Sequence, residues 1–366
     1  MTVLTAFDDY PIHPSSAPIA FTSSGDPNHY DRYFFNGYTR DASVYFGVAM
    51  GLYPNRHVAD ASFSVVIGGR RQISLHSSMR APIDRAQANA IGPIEVRIVE
   101  PMKRHRILVD SPEHGIRADL ELTARSAPVQ EPHFFVRNGV RTVMDYTRLT
   151  QFGHWSGWIE VEGRRHDISP DSFGSRDRSW GIRPIGPVSD AGAPFASGQF
   201  YWLWAPVNFE GYATHFDINE YADGQRWHEV GFVIPDGDDP AVASRSVGYS
   251  LEWRPGTRWA RGFELDLNQP DGSVRHLSFE PLYEFQMKGI GYFNADWGHG
   301  HWKGELAVGA EAWDLPVADP CRPDHLHIQA LCRVRCGDDE GLGILEQLII
   351  GPHTPTGLTG AFDPAT

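Results

Sequence analysis

Apolar and polar positions alternate in short runs along most of the chain. Ile94-Glu95-Val96-Arg97-Ile98-Val99 and Ile116-Arg117-Ala118-Asp119-Leu120-Glu121-Leu122 repeat every second residue, the period of an extended strand with two faces. Residues 33–38, 43–50, 61–67 and 72–76 carry the aromatic and β-branched content of buried strands, and Gly68-Gly69 between the last two supplies the positive φ of a tight hairpin. The second half repeats the style over 155–161, 165–168, 200–205, 212–219, 229–234, 246–253, 263–267, 277–280, 303–308 and 325–334, with turn signals at Glu162-Gly163, Asp223-Gly224 and Asp271-Gly272. Two windows, 78–90 and 142–150, have looser spacing that predicts short helices, the first interrupted by Pro82. The pattern predicts an all-β protein of antiparallel strands with few short helices.

Length suggests two domains, since 366 residues is about twice the usual domain size of roughly 150. Ala127-Pro128 and Ser169-Pro170-Asp171 interrupt the alternation, so the boundary is expected within 125–190, dividing the chain into 1–150 and 151–366. With 41% hydrophobic and 12% aromatic residues the bulk is not disordered. A net charge of -14 with no basic stripe excludes nucleic acid and anionic lipid as expected partners. No apolar run approaches the roughly 20 residues of a membrane helix, and residues 1–18 show no secretory signal. Three cysteines, Cys321, Cys332 and Cys336, are too few for a disulfide scaffold, so a cytoplasmic chain with reduced thiols is expected. Cys332 and Cys336 fall on one face of a predicted strand and read as small buried hydrophobes. Exposed strand edges allow a homodimer. Phosphate-binding glycine loops and the Gly-x-Ser-x-Gly elbow are absent.

Four clusters carry candidate chemistry. The first, residues 175–184, packs Arg176, Asp177, Arg178, Trp180 and Arg183 into what reads as a Gly/Pro-bounded loop. Arginines on both sides would keep Asp177 ionised with a depressed pKa, and Arg176 or Arg183 could clamp an anionic oxygen. The second is a hairpin with its turn at Asn208-Phe209, pairing Ala205 with Tyr212 and Trp202 with His215. Alternation then puts Trp202, Trp204, His215 and Asp217 on one face, an amphipathic cavity wall with one titratable pair, beside Tyr201. The third holds two His-x-His pairs, His299/His301 and His325/His327, spaced as metal ligands or as structural histidines. In the fourth, His154, Ser156 and Trp158 share a strand face. The aromatic group Tyr30, Tyr33, Phe34, Tyr38 and Tyr45 reads as core, with a tyrosine hydroxyl such as that of Tyr33 available for proton transfer.

The strings Arg176-Asp177-Arg178-Ser179-Trp180-Gly181-Ile182-Arg183-Pro184, Tyr201-Trp202-Leu203-Trp204 and Trp297-Gly298-His299-Gly300 resemble the hydroxyneurosporene synthase (carotenoid 1,2-hydratase)-like and AttH-like proteins over roughly 145–310. That resemblance implies two packed lipocalin-like β-barrels or sandwiches with an apolar pocket near their junction. It also implies cofactor-independent hydratases, cyclases or isomerases acting on isoprenoid or polyketide skeletons. The expectation is therefore an acid–base lyase, hydratase or isomerase for a hydrophobic or aromatic small molecule, using no cofactor. Asp177, His215 and Asp217 would handle protons, with His154 or Tyr33 as substitutes. Arg176 or Arg183 would stabilise negative charge, and Trp155, Trp180, Tyr201, Trp202 and Trp204 would hold the ligand. A non-catalytic carrier and a metal-dependent β-barrel enzyme using His299, His301, His325 and His327 are the alternatives.

Overall fold

The computed structural model describes residues 3–186 and 198–365. Within them the chain forms two curled antiparallel sheets joined by short turns and a few 3₁₀ segments. From edge to edge the larger sheet runs Leu306–Asp314, Arg71–Arg80, Val58–Ile67, Val44–Tyr53, His29–Tyr38, Arg164–Ile182, Arg141–Val161, Ile116–Ala124, Arg104–Ser111, Ile94–Glu100 and Ala90–Ile91. Two short strands, Val129–Gln130 and Phe134–Asn138, also pair with Arg141–Val161. The smaller sheet runs Val242–Ala243, Arg226–Pro235, Tyr212–Glu220, Phe200–Asn208, Asp339–Ile350, Ile328–Cys336, Val274–Gln286, Ala260–Asn268 and Ser246–Trp253. The all-β expectation holds: each sheet curls into a half-barrel.

Each half-barrel closes on its own core, one around Phe35, Phe46, Phe63 and Trp155, the other around Phe216, Phe263, Leu265 and Cys332. Cys336 packs against the second core, and all three cysteines are free thiols. The opposite faces of the two sheets pack against each other through Phe34, Tyr38, Tyr45, Phe173, Trp204, Phe285 and Ile344. Polar ties cross this junction. Tyr38 donates to the Leu342 carbonyl at 3.0 Å, and Arg125 donates to the carbonyls of Phe209 and Tyr212 at 2.7 Å each and to Asp236 at 2.6 Å.

A row of glycines lets the first core fill. Gly37, Gly174 and Gly153 are direct partners across three neighbouring strands. The Trp155 indole lies in the space that Gly37 and Gly174 leave, its N–H donating to the Asn36 carbonyl at 2.8 Å, while Leu122 fills the space at Gly153. A Cβ on Gly174 would sit 2.2 Å from Trp155 Nε1 and 2.3 Å from the Asn36 carbonyl oxygen.

Several expectations are corrected. Residues 142–150 are strand, not helix, because long-range pairing overrides their looser local spacing: Asp145–Thr150 pair with Asp177–Ile182 on one side, and Tyr146 and Leu149 pair with Phe134 and Gln130 on the other. The expected loop 175–184 is strand as far as Ile182, bonded to both His29–Tyr38 and Arg141–Val161. The sheets are not contiguous in sequence: strands up to Ile182 belong to the first, strands from Phe200 to the second, and Leu306–Asp314 returns to the first. The hairpin register is Ala205 with Phe216 and Trp204 with Asp217. This differs from the expected pairing by four residues, an even number, so every side chain keeps its expected face.

Gly174→Ala is therefore expected to cost about 1–3 kcal/mol through overpacking, read as a lower urea midpoint at unchanged slope. An unchanged midpoint would show that the glycine row is not needed to seat Trp155.

Candidate active site

At one end of the sheet junction lies a cavity of about 280 Å³. Its first wall comes from strand alternation. On His29–Tyr38 the even residues Tyr30, Arg32 and Phe34 face the junction, while Tyr33 and Phe35 face the first core. Register then builds rows across three strands: Phe34–Asp177–Thr150, Arg32–Ser179–Arg148 and Tyr30–Gly181–Tyr146. The second wall repeats the logic with Trp204 opposite Glu346 and Trp202 opposite Leu348, beside Asn219 and His327. Met287, Tyr292 and Phe293 close one side, and Arg183 lines the cavity after the Arg164–Ile182 strand ends.

Asp177 is the isolated carboxyl of this cavity. Among the described residues no donor hydrogen-bonds it. Burial pushes it up to about 6, against the opposing pull of Arg148 and Arg32 and with a further push from Glu131 and Glu346. The expected depression fails for a geometric reason. The sequence neighbours Arg176 and Arg178 point to the other face of the strand, where Arg176 donates to Gln151 at 2.9 Å and Arg178 pairs with Asp31.

Behind the cavity wall a buried ionic cluster joins the sheets. Arg148 donates through Nε to Glu131 Oε2 at 2.8 Å, and its Nη2 bonds Asp217 of the second sheet. Asp217 also accepts from the Trp202 indole at 2.6 Å and lies 3.1 Å from His228 Nε2. Thr150 donates to Glu131 at 2.7 Å, and His215 Nε2 lies 3.2 Å from the same carboxyl. Burial would push Glu131 up, but Arg148 and His215 outweigh it and hold the carboxyl well below its usual range. Ligand atoms of Glu131, Asp217 and His228 come within 4.8 Å of one another, the grouping among the described residues that could hold a metal. The Arg148 guanidinium bonds both carboxylates there and already supplies the cation.

Two histidines have defined partners. His327 Nε2 donates to Glu346 Oε1 at 2.6 Å, leaving Nδ1 without a partner among the described residues, while Glu346 Oε2 accepts from Gln329 at 2.5 Å. Arg32 can only donate, so the 3.2 Å contact to His299 Nδ1 fixes that nitrogen as acceptor and Nε2 as donor to the Ile290 carbonyl at 2.9 Å. Burial and the cations of Arg32 and Arg183 hold His299 well below its ordinary value, as a neutral ring.

Of the sequence candidates, Asp177, Arg183, Trp202 and Trp204 line the cavity. His215 and Asp217 share the Trp202–Trp204 face as expected but stand behind the cavity wall, with the His215 ring 5.8 Å from that of Trp204. Tyr33 stacks on Phe35 inside the first half-barrel, and Trp155 is in that core. Tyr201 stacks on His353 in the other core. His154 sits beside Phe173 further along its strand, and Trp180 is 42% exposed. The four histidines do not gather into a ligand set. His327 lines the cavity, His299 bonds Arg32, His301 borders Trp297 and Ser78, and His325 lies 3.0 Å from Lys288 Nζ. Arg32, Tyr146, Arg148, Tyr292 and Glu346 were missed as cavity residues, and Tyr30 and Phe34 were read only as core. Glu346 carried a signal, being a carboxylate inside the apolar run 342–350.

The raised Asp177 has a stability consequence. Below about pH 4 it is protonated in both folded and unfolded chains; between there and about 6 only the unfolded chain ionises, so folding stability falls as pH rises. Asp177→Asn removes that penalty. Above pH 6 the variant should be the more stable in urea, by at most about 3 kcal/mol, with the difference vanishing towards pH 3. A variant no more stable than wild type at pH 8 would show that the carboxyl is not desolvated.

Similarities bear on the fold. The solved structure of an AttH protein from Nitrosomonas europaea superposes with a TM-score of 0.55 at 14% identity, over 92% of this chain and 98% of that one. Kievitone hydratase from Nectria haematococca superposes with a TM-score of 0.52 at 10% identity, over 87% and 88%. These likenesses give the AttH-like two-sheet fold that the sequence strings pointed to. No curated protein sequence matches the chain. Among described residues no helix is long and apolar enough to cross a membrane. A family model described as "Family of unknown function (DUF8625)" matches residues 4–359, and the chain belongs to that family.

Proposed function

We propose that the chain is an acid–base enzyme of the lyase, hydratase or isomerase type, acting without an organic cofactor on a small, largely apolar ligand at the sheet junction. The observation that carries this reading is Asp177, a carboxyl with no hydrogen-bond donor among the described residues, pushed up to about 6 in a cavity walled by Trp202, Trp204 and Tyr292. A carboxyl poised near neutrality can both give and take a proton, which is what addition or removal of water or migration of a double bond requires. His327, held by Glu346 with its other ring nitrogen unpartnered, is the second proton-handling group. The carboxylate fixes the imidazole tautomer as in other carboxylate–histidine pairs. The name of the kievitone hydratase structure is consistent with water addition or loss on this fold; the reaction itself is argued from the side chains.

Addition or loss of water across a carbon–carbon double bond and double-bond migration all transfer a proton to or from carbon, and reversal of that transfer in D2O appears as exchange. Deuterium incorporation from D2O into 2-tetralone, followed by NMR, tests it. The wild-type chain is expected to accelerate exchange, with a rate change near pH 6. Asp177→Asn should lower the rate by about 100-fold or more. His215→Gln, behind the cavity wall, should leave the Asp177-dependent pH transition in place. Equal rates for wild type and Asp177→Asn would remove Asp177 from the chemistry. Recovery of the probe without exchange would favour the carrier.

A further inference from the structure

We propose that the cavity contains a subsite for a carboxylate on the ligand, formed by Arg32 and Arg183, so that the ligand is an aromatic or alicyclic carboxylic acid. The inference rests on reading the cavity as the ligand site and adds the ligand's chemical class.

Three arginines line the cavity, and they are not equivalent. Arg148 is neutralised by Glu131 and Asp217. Arg32 and Arg183 have no ion pair with any carboxylate among the described residues. Arg32 is only 2% exposed, yet its side chain meets a neutral imidazole at 3.2 Å and a carbonyl at 3.4 Å, and its Nε has no partner. The Arg183 guanidinium makes no hydrogen bond among the described residues; its Nε is buried and unpartnered, and its flat face lies 4.8 Å from the Tyr30 ring centroid. Both guanidinium groups approach the same ring, Tyr292, at 4.8 and 5.7 Å. Two like charges therefore share one half-buried aromatic wall with no ion-paired carboxylate among the described residues, an arrangement that burial penalises unless an anion completes it.

Asp60 and Asp177 feel the charge of Arg32, and Asp60 that of Arg183, but among the described residues neither carboxylate makes an ion pair with them. Asp60 is taken by the Gly300 N–H at 2.6 Å and by Tyr53 at 3.2 Å. Asp177 sits in the next row along the strands, about 7 Å from the Arg32 row. The donors are planar guanidinium forks beside aromatic rings, and such a fork can bond both oxygens of a carboxylate at once while the rings take an aromatic or alicyclic body. A carboxylate held there would place a ligand carbon about one ring width away beside Asp177.

Isothermal titration calorimetry of the full chain with 2-naphthoate, 2-naphthalenemethanol and 2-naphthyl phosphate tests the assignment. Wild type should bind the acid at least about tenfold more tightly than the alcohol, as one charge-assisted hydrogen-bond pair implies. Arg183→Gln and Arg32→Gln should each bring the two affinities within about threefold, while Arg183→Lys keeps part of the preference. Equal binding of acid and alcohol by wild type overturns the subsite, and needs no variant to fold. Preference for the phosphate over the acid overturns the carboxylate assignment, and so does binding of none of the probes. Exchange into 2-tetralone without a preference for naphthoate would sink the subsite and leave the acid–base reading standing. A naphthoate preference without exchange would do the reverse.

Discussion

The Arg148–Asp217 ion pair is the constraint on which the cavity depends. It reaches from one sheet to the other, and each partner carries further bonds that leave it little freedom: Glu131 on the arginine, His228 and the Trp202 indole on the aspartate. A buried pair of this kind contributes modest net stability, but breaking it strands a charge. Its structural effect is registration. It fixes how the Arg141–Val161 strand faces the Tyr212–Glu220 strand and sets Trp202 as a wall facing Asp177.

The charges divide into two classes on this basis. Arg148 is paired with both Glu131 and Asp217, and the three hold the walls. Among the described residues, Asp177, Arg32 and Arg183 have no direct counter-ion at the cavity surface. Desolvation outweighs the arginines' Coulomb pull on Asp177 because none of them bonds it, so its proton stays within reach of neutral pH. The same absence of compensation makes Arg32 and Arg183 available to an anion. One pattern of incomplete pairing thus underlies both the proposed proton chemistry and the proposed ligand class.

Much of the fold was legible because strand period and turn residues are local signals. The Gly68-Gly69 hairpin and the alternating runs needed no long-range information. The site was legible only where it was local. Trp202, Trp204, His215 and Asp217 share a face by alternation alone, and this survived an incorrect register because the error was even. Arg32 and Arg148 could not be found this way. They flank Asp177 only once residues 29–38 and 141–161 pair on either side of 164–182, contacts far apart in sequence. The charge-dense segment 175–184 read as a loop because one face of the strand is polar on the core side: Arg176 and Arg178 there are satisfied by Gln151 and Asp31, partners the local sequence does not reveal.

The claim most exposed to measurement is that burial, rather than its arginine neighbours, governs Asp177. Carboxyl ¹³C shifts followed through a pH titration, assigned by comparison with Asp177→Asn, would report it directly. A desolvated carboxyl should give a midpoint near 6. A midpoint at or below the ordinary aspartate value of about 4 would mean that the arginines win, and would contradict the account.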